Sequence, residues 1–427
     1  GEIIQKAVAV LKIEAEGITN LAHRIDENFS KMVELICDSS GRIIIGGEAH
    51  ANTSSHATHV AGIILGSGAD SANNSGSAFQ WRGHAPEARL VSESYGTDAG
   101  TTAYGDNWYD AIVSNSAQSS NHSYVQTWGT YDGTASAVDQ IVRGDGVDAD
   151  GNSIPARTSI FAVANQGVSA QYNDEEGFYA IYAPAKNSIG VGSTDSTDGQ
   201  PSDFSSRGPT FDGRIKPDIV APGCRESETN PSDGIVSTEQ GGGYTTKCGT
   251  SMAAPVVTGV TALMFEQFRN TFGASFNALP STVKALLVNT AMDQIGTSTF
   301  NDPDCGCTFE YETGPDWTTG YGLVDAQAAV AAIRSKSFIE DQVSPGNTQD
   351  NFTIDVTAGM PELRFTLVWD DEPGDIATAE TAAKLVNNLN LVLIAPDNTQ
   401  HFPWVLDALP MTATAGDGAP DPIDQAD

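Results

Sequence analysis

Positive charge is scarce in this sequence of 427 residues: lysine and arginine number 21 against 55 aspartates and glutamates, a formal net charge of −34. So acidic a surface repels phosphate backbones and anionic lipid, which excludes nucleic acid as an expected partner and leaves a solvated acidic shell as the ordinary reading. No apolar run approaches the roughly 18 residues that a membrane span needs, so no membrane partner is expected. Cysteine is sparse as well. The five, Cys37, Cys224, Cys248, Cys305 and Cys307, are an odd number with no Cys-x-x-Cys pair. That argues against a zinc ribbon and leaves disulfide bridges and buried thiols both open. The stretch from Gly1 carries no signal pattern, so location is not read from that end. Internal repeats are absent.

The length suits one large domain with one or two smaller units. Residues 4–36 place apolar side chains at three- and four-residue intervals among charges and read as two amphipathic helices, with Asp26 placed to cap a second helical turn. "GRIIIGG" then reads as a short buried strand. From about residue 46 glycine, serine, asparagine and threonine become abundant, which marks a boundary. Between about 48 and 335, strand-like runs such as "RTSIFAVAN", "NSIGVGS" and "KPDIVAPG" alternate with helical runs such as "SMAAPVVTGVTALMFEQF" and "STVKALLVNTAM". That alternation predicts an α/β fold with a parallel sheet and helices on both faces. Beyond about 345, "NFTIDVT", "ELRFTLVWDD" and "LNLVLIAPDNTQ" show strand periodicity and predict a small antiparallel β unit. The expected organisation is a helical N-terminal segment over 1–47, a main domain over 48–340, a partial β domain over 341–410 and an acidic, Pro- and Gly-rich tail over 411–427, expected to be disordered.

The most informative string is "YTTKCGTSMAAPVVTGVTALM". Ser251 follows Gly-Thr and opens an apolar helix, where free backbone N–H groups and the helix dipole stabilise negative charge growing beside it. That suits a nucleophile whose attack creates an oxyanion, although a serine before a helix is ordinarily a plain cap. "GTSMAAP" resembles the nucleophile motif of the subtilisin-like serine proteases, and other strings follow in that family's order. "HATHVAG" is similar to its histidine motif, with Ala57 replacing a glycine. "NHSYVQTWG" and "FAVANQG" stand where it has Asn-Asn-Ser-Trp-Gly and Ala-Ala-Gly-Asn-Glu/Asp-Gly, and "FSSRGPTFDGRIKPDIVAPG" is especially specific. With the β unit after 345, residues 48–407 resemble the branch whose peptidase domain precedes a jelly-roll-like β-barrel.

The resemblance implies a serine endopeptidase with a subtilisin-like parallel sheet sandwiched by helices. It casts Ser251 as nucleophile, His56 as general base and Asn165 as oxyanion donor. A neutral imidazole can take the serine proton and return it to the leaving amine. Ser123, Tyr124 and Val125, with Ala162, Val163 and Ala164, would pair with an extended peptide and flank its P1 side chain. It also implies a protein or peptide substrate, a monomer, secretion and a Cys224–Cys248 bridge. His56 and His59 have metal-ligand spacing, but there is no His-Glu-x-x-His string and no third ligand nearby, so His59 is read as packing and no metal site is assigned. The chemistry requires no cofactor. Asp145, Asp148 and Asp150 in "RGDGVDADGNS" offer oxygens to a structural calcium, yet the loop lacks the full twelve-residue pattern, and a solvated acidic turn is the simpler reading.

One element of that pattern is missing. The family's aspartate should end a strand of the form apolar-apolar-Asp-Ser/Thr-Gly ahead of the histidine, and no such string exists. Asp38 precedes "RIII" instead of ending it, and Asp26 sits in a helical pattern, so both read as turn or cap residues. Residues 1–46 instead resemble the start of arabinose-5-phosphate isomerases, without the phosphate-binding loop that would follow. Three readings therefore stand: an endopeptidase, a catalytically impaired peptide-binding protein of the same form, and a sugar-phosphate isomerase fragment.

Overall fold

Among the described residues, the short apolar runs form six strands in one parallel sheet. They are β1 (Arg42–Gly46), β2 (Arg89–Glu93), β3 (Ala117–His122), β4 (Thr158–Ala162), β5 (Ile189–Thr194) and β6 (Ile219–Pro222), in the order β2-β1-β3-β4-β5-β6. The computed structural model describes residues 42–46, 54–93, 109–124, 127, 129–167, 179–225, 234–299, 308–311, 313–344, 349–357, 359–360, 362–406 and 424–425. The two N-terminal helices expected over 4–36 lie outside them. "GRIIIGG" does supply a strand, and β1 sits inside the sheet, in register with β2 and β3 so that Gly46 lies level with Glu93 and His122.

Every residue of β4 and β5 is buried, as expected for a parallel sheet covered on both faces. The pleat sorts their side chains. Ile160 and Ala162 join the cluster under α3 (Thr250–Phe272), while Phe161 between them joins Tyr131, Ala135, Val138 and Val142 of the opposite face. Helices α1 (Ser55–Leu65), α4 (Pro280–Thr290) and α5 (Ala326–Ser335) contribute to the α3 side, and α2 (Gly133–Arg143) covers the other. Caps match the chemistry of the residues. Ser54 Oγ accepts from Ala57 N at the start of α1, and Asp132 Oδ1 accepts from Thr134 N and Ala135 N at the start of α2. At Gly259 a Cβ would lie 2.5 Å from His84 Cβ, so α3 can approach the chain leading to β2 only with glycine there.

An antiparallel hairpin, β7 (Ile235–Thr238) with β8 (Tyr244–Lys247), leads into α3, and β9 (Gly296–Thr299) pairs with β10 (Thr308–Tyr311). The C-terminal unit departs from the expected three strands. Antiparallel ladders join β11 (Leu393–Ile394) to β12 (Gln400–His401) and β13 (Trp404–Val405) to β14 (Asp424–Gln425). "NFTIDVT" and "ELRFTLVWDD" form no ladder, and Phe352, Ile354 and Val356 are exposed. Strand periodicity needs a partner strand to become a strand, and among the described residues none pairs with these two in a ladder, although Asn289 and Ser281 bond to the second through side chains and single backbone groups.

What ties this unit to the sheet is polar. Lys186 Nζ donates to Asp371 Oδ2 and to Lys384 O, both partners of the ion pair being buried. Asn187 exchanges two bonds with the Asp371 backbone, at 2.8 and 2.9 Å. Asp371 also accepts from Val386 N, Asn387 N and Asn387 Nδ2. Burial alone would raise the Asp371 carboxyl, but these donors hold it below its usual range. Asp371→Ala is expected to lower the free energy of unfolding by about 3–5 kcal/mol, because it strands a buried ammonium. Urea melts showing a loss below about 1 kcal/mol would mean that the anchor is dispensable.

Candidate active site

Ser251 is the second residue of α3, and His56 is the second residue of α1. One hairpin holds both helix starts. His59 Nε2 lies 2.9 Å from Ile235 O and 3.1 Å from Thr245 O. Both partners are carbonyls, so Nε2 carries the proton and donates. Ser237 Oγ donates to His59 O and Thr238 Oγ1 to Thr58 O, each at 2.8 Å. His59 is fully buried, and desolvation pushes its pKa down to about 4. It is a packing histidine, as the sequence suggests. Beside it, Glu239, just past β7, is held below the usual carboxylate range first of all by a hydrogen bond from the Ser55 side chain.

β8 runs on through Cys248 and Gly249 into Ser251. Gly249 has φ +139°, and a Cβ there would lie 3.3 Å from Asn165 Nδ2, so the turn requires glycine. Asn165 Oδ1 accepts from Thr250 N and Thr250 Oγ1, both at 2.9 Å. The amide oxygen is thereby committed to the helix start, which leaves the Nδ2 end of an exposed side chain on the Gly249 side. Cys248 is bonded to Cys224, with Cα atoms 5.3 Å apart, so the implied bridge is present and ties the segment after β6 to the nucleophile turn. Cys37, Cys305 and Cys307 lie outside the described residues.

Ser123, just past β3, meets Ser251 twice: Ser123 Oγ donates to Ser251 O at 2.9 Å, and Ser251 Oγ donates to Ser123 O at 3.2 Å. Tyr124 OH lies 2.7 Å from His122 Nδ1. Val125 lies outside the described residues. On the other side, Val163 donates from its N–H to Val191 O and accepts at its C=O from Tyr182 N, while Ala164 O accepts from Ser206 N. Ala162 pairs with Val191 in the sheet. Both main-chain groups of Val163 are thus engaged within the protein.

Sequence reasoning passed over His122, Asn121 and Thr258. His122 is buried, its ring stacked on Phe161 with centroids 4.1 Å apart, and burial pushes its pKa down to about 3. The signal available was a run of polar residues, "SSNHS", on a strand expected to be covered on both faces. The aspartate expected at the end of the strand before the histidine is absent here too: β1 ends at Gly46. Asp26 and Asp38 lie outside the described residues. In the acidic turn, Asp148 accepts from Asp150 N, Asn152 N and Asn152 Nδ2, and Asp145 pairs with Arg143, so these oxygens organise their own loop. No group of three or more His, Cys, Asp or Glu among the described residues is arranged to hold a metal.

Residues 45–322, more than half of the chain, match the family described as the Subtilase family. The serine protease/ABC transporter B family protein tagB of Dictyostelium discoideum is 29% identical over 243 residues, covering 46% of this chain and 13% of that protein. Serine protease AprX of Bacillus subtilis is 29% identical over 266 residues, covering 58% of this chain and 54% of its own length. The matched stretch therefore spans about half or less of these relatives. Among solved structures, a protease from Pseudoalteromonas arctica aligns with a TM-score of 0.47 at 20% identity, covering 69% of this chain and 91% of that one.

Two outcomes follow from this geometry. His59 is neutral when folded and its pKa lies below the unfolded value near 6.5, so its contribution is present above pH 6.5 and is lost as pH falls toward 4. Melts at pH 7 and pH 4 should differ by roughly 2–3 kcal/mol through this group, and His59→Gln, whose amide can still donate, should flatten that part of the profile. Replacing Cys224 and Cys248 together by serine opens a loop of 24 residues and should cost about 3 kcal/mol in a denaturant titration.

Proposed function

We propose that this chain, which belongs to the subtilase family, is a serine endopeptidase that cleaves peptide bonds of protein or peptide substrates through an acyl-enzyme. The observation that carries the reading is the seat of Ser251: a hydroxyl at the start of a buried helix, its turn held by Asn165 and Ser123. Ser251 Oγ attacks the scissile carbonyl while His56 takes its proton. The oxyanion is met by Asn165 Nδ2 and the Ser251 N–H, with the α3 dipole adding to the stabilisation. His56 then protonates the leaving amine, and water repeats the sequence on the acyl-enzyme. Backbone pairing with the extended substrate falls to residues 123–125, since Val163 has both main-chain groups engaged, and Ala162, Val163 and Ala164 wall the P1 side.

The chemistry draws on side chains and water, with no cofactor, and any calcium is assigned a structural part only. The Cys224–Cys248 bridge suits an oxidising, extracellular setting. No helix among the described residues is long and apolar enough to cross a membrane.

β1 ends in Gly46 where the family's strand ends in an aspartate, and in such triads removal of the aspartate costs roughly 10⁴-fold in turnover. The test is a serine-directed fluorophosphonate probe together with a chromogenic peptide, beside a Ser251→Ala control. Labelling at Ser251 and turnover above the control are expected, at a low kcat. Peptide binding with neither labelling nor cleavage would overturn the endopeptidase reading in favour of a non-catalytic peptide-binding protein.

A further inference from the structure

Four positions after Ser251, α3 carries Pro255. A helical carbonyl accepts from the N–H of the residue four ahead, and proline has none, so the Ser251 carbonyl loses its helical partner. Ser123 supplies the substitute, its Oγ donating to Ser251 O at 2.9 Å. A serine hydroxyl has one proton, so Ser123 can serve Ser251 only if its other neighbour donates to it. That neighbour is Asn121, whose Nδ2 donates to Ser123 Oγ at 3.1 Å. Asn121 Oδ1 in turn accepts from Thr258 Oγ1 at 2.9 Å, a proton Thr258 shares with Ala254 O at 3.0 Å. Asn121 and Thr258 are both fully buried, so water offers neither an alternative partner. The donor sense runs one way, from Thr258 through Asn121 and Ser123 to Ser251. With the Asn121 amide reversed, an oxygen would face Ser123, its proton would turn there, and the Ser251 carbonyl would be left bare.

We propose that Asn121 is a positioning residue for the nucleophile: it directs the Ser123 hydroxyl to replace the backbone donor that Pro255 removes, and so fixes the peptide plane that follows Ser251. It touches neither substrate nor reacting atoms. The functional consequence rests on Ser251 being the nucleophile, whereas the bridge itself does not. Asn121→Asp is close to isosteric and puts oxygen where Nδ2 was. Its kcat should fall about tenfold, the scale of one buried hydrogen bond, with KM within about twofold. Ser123→Ala should do the same, and the two losses should not add. Pro255→Ala returns a backbone N–H to the Ser251 carbonyl, and in that background Asn121→Asp should cost less than about threefold, which a merely structural role would not produce. Hydrogen exchange over residues 251–254 reads the same bridge without turnover: about tenfold faster in Asn121→Asp, and restored by Pro255→Ala. Unchanged exchange in Asn121→Asp, or a tenfold loss of kcat that persists undiminished with Pro255→Ala, overturns the proposal. If Asn121→Asp does not fold, Ser123→Ala carries the same measurements. A wild-type chain without turnover would count against the endopeptidase reading, while the exchange experiment would still decide this one.

Discussion

A helix buried on every side over its first three turns has to run through the middle of a protein, and α3 imposes that constraint on everything around it. Met252, Ala253, Ala254, Val257, Val260, Met264 and Phe268 are all buried, on successive faces of the same helix. The sheet lies on one side of it and α1 and α5 on the others. Its first turn meets the carboxyl ends of β3 and β4, because Ser123 and Asn165, which follow those strands, are the residues that bond to it. In open parallel sheets that edge is where ligands bind, since the loops leaving the strands gather there beside helix N-termini. The position of Ser251 thus follows from burial before any catalytic argument is made.

The buried polar groups that hold this edge are uncharged. His59 and His122 are kept neutral by desolvation, and Asn121, Ser123 and Thr258 exchange hydrogen bonds without a formal charge among them. A buried cation near the start of α3 would add to the positive end of its dipole and would itself have to be desolvated. Neutral donors of fixed direction avoid both costs while still aiming N–H groups at the place where an oxyanion would form. Ionic pairing appears where no reaction is at stake. Lys216, Asp218 and Lys284 form a cluster beneath the sheet, and Lys186 with Asp371 anchors the C-terminal unit.

That anchor explains how a unit with so little regular ladder stays attached. Its apolar side chains at Phe352, Ile354 and Val356 face solvent, so contact area is not what holds it. A buried ion pair whose remaining lone pairs and protons are met by backbone groups specifies one geometry even where its net contribution is modest. Gly46 is a different sort of gap. β1 lies next to the edge strand β2 and pairs on both sides, so the sheet is complete there. Only the side chain that the chemistry would use is missing, because strand pairing is a backbone matter and is indifferent to it.

Much of this was legible in the residues. Alternating apolar strands and helices announce a parallel α/β sheet because burial on both faces leaves no polar alternation. The run from Gly249 to Pro255 announces a helix start carrying a serine, and "KPDIVAPG" and "STVKALLVNTAM" announce the strand and helix that formed. The β unit after 345 was legible only as periodicity, since a strand exists by virtue of a partner that local pattern does not name. Other features were decided by tertiary structure alone. The seat of β1 between β2 and β3, the engagement of the Val163 backbone and the Lys186–Asp371 anchor all join residues far apart in sequence. The same holds for the bridge from Thr258 through Asn121 to Ser251, which spans 137 residues at one step. Composition and period report which faces must be buried, but a directed hydrogen bond depends on which two buried groups meet, and that is settled only when the chain has closed around them.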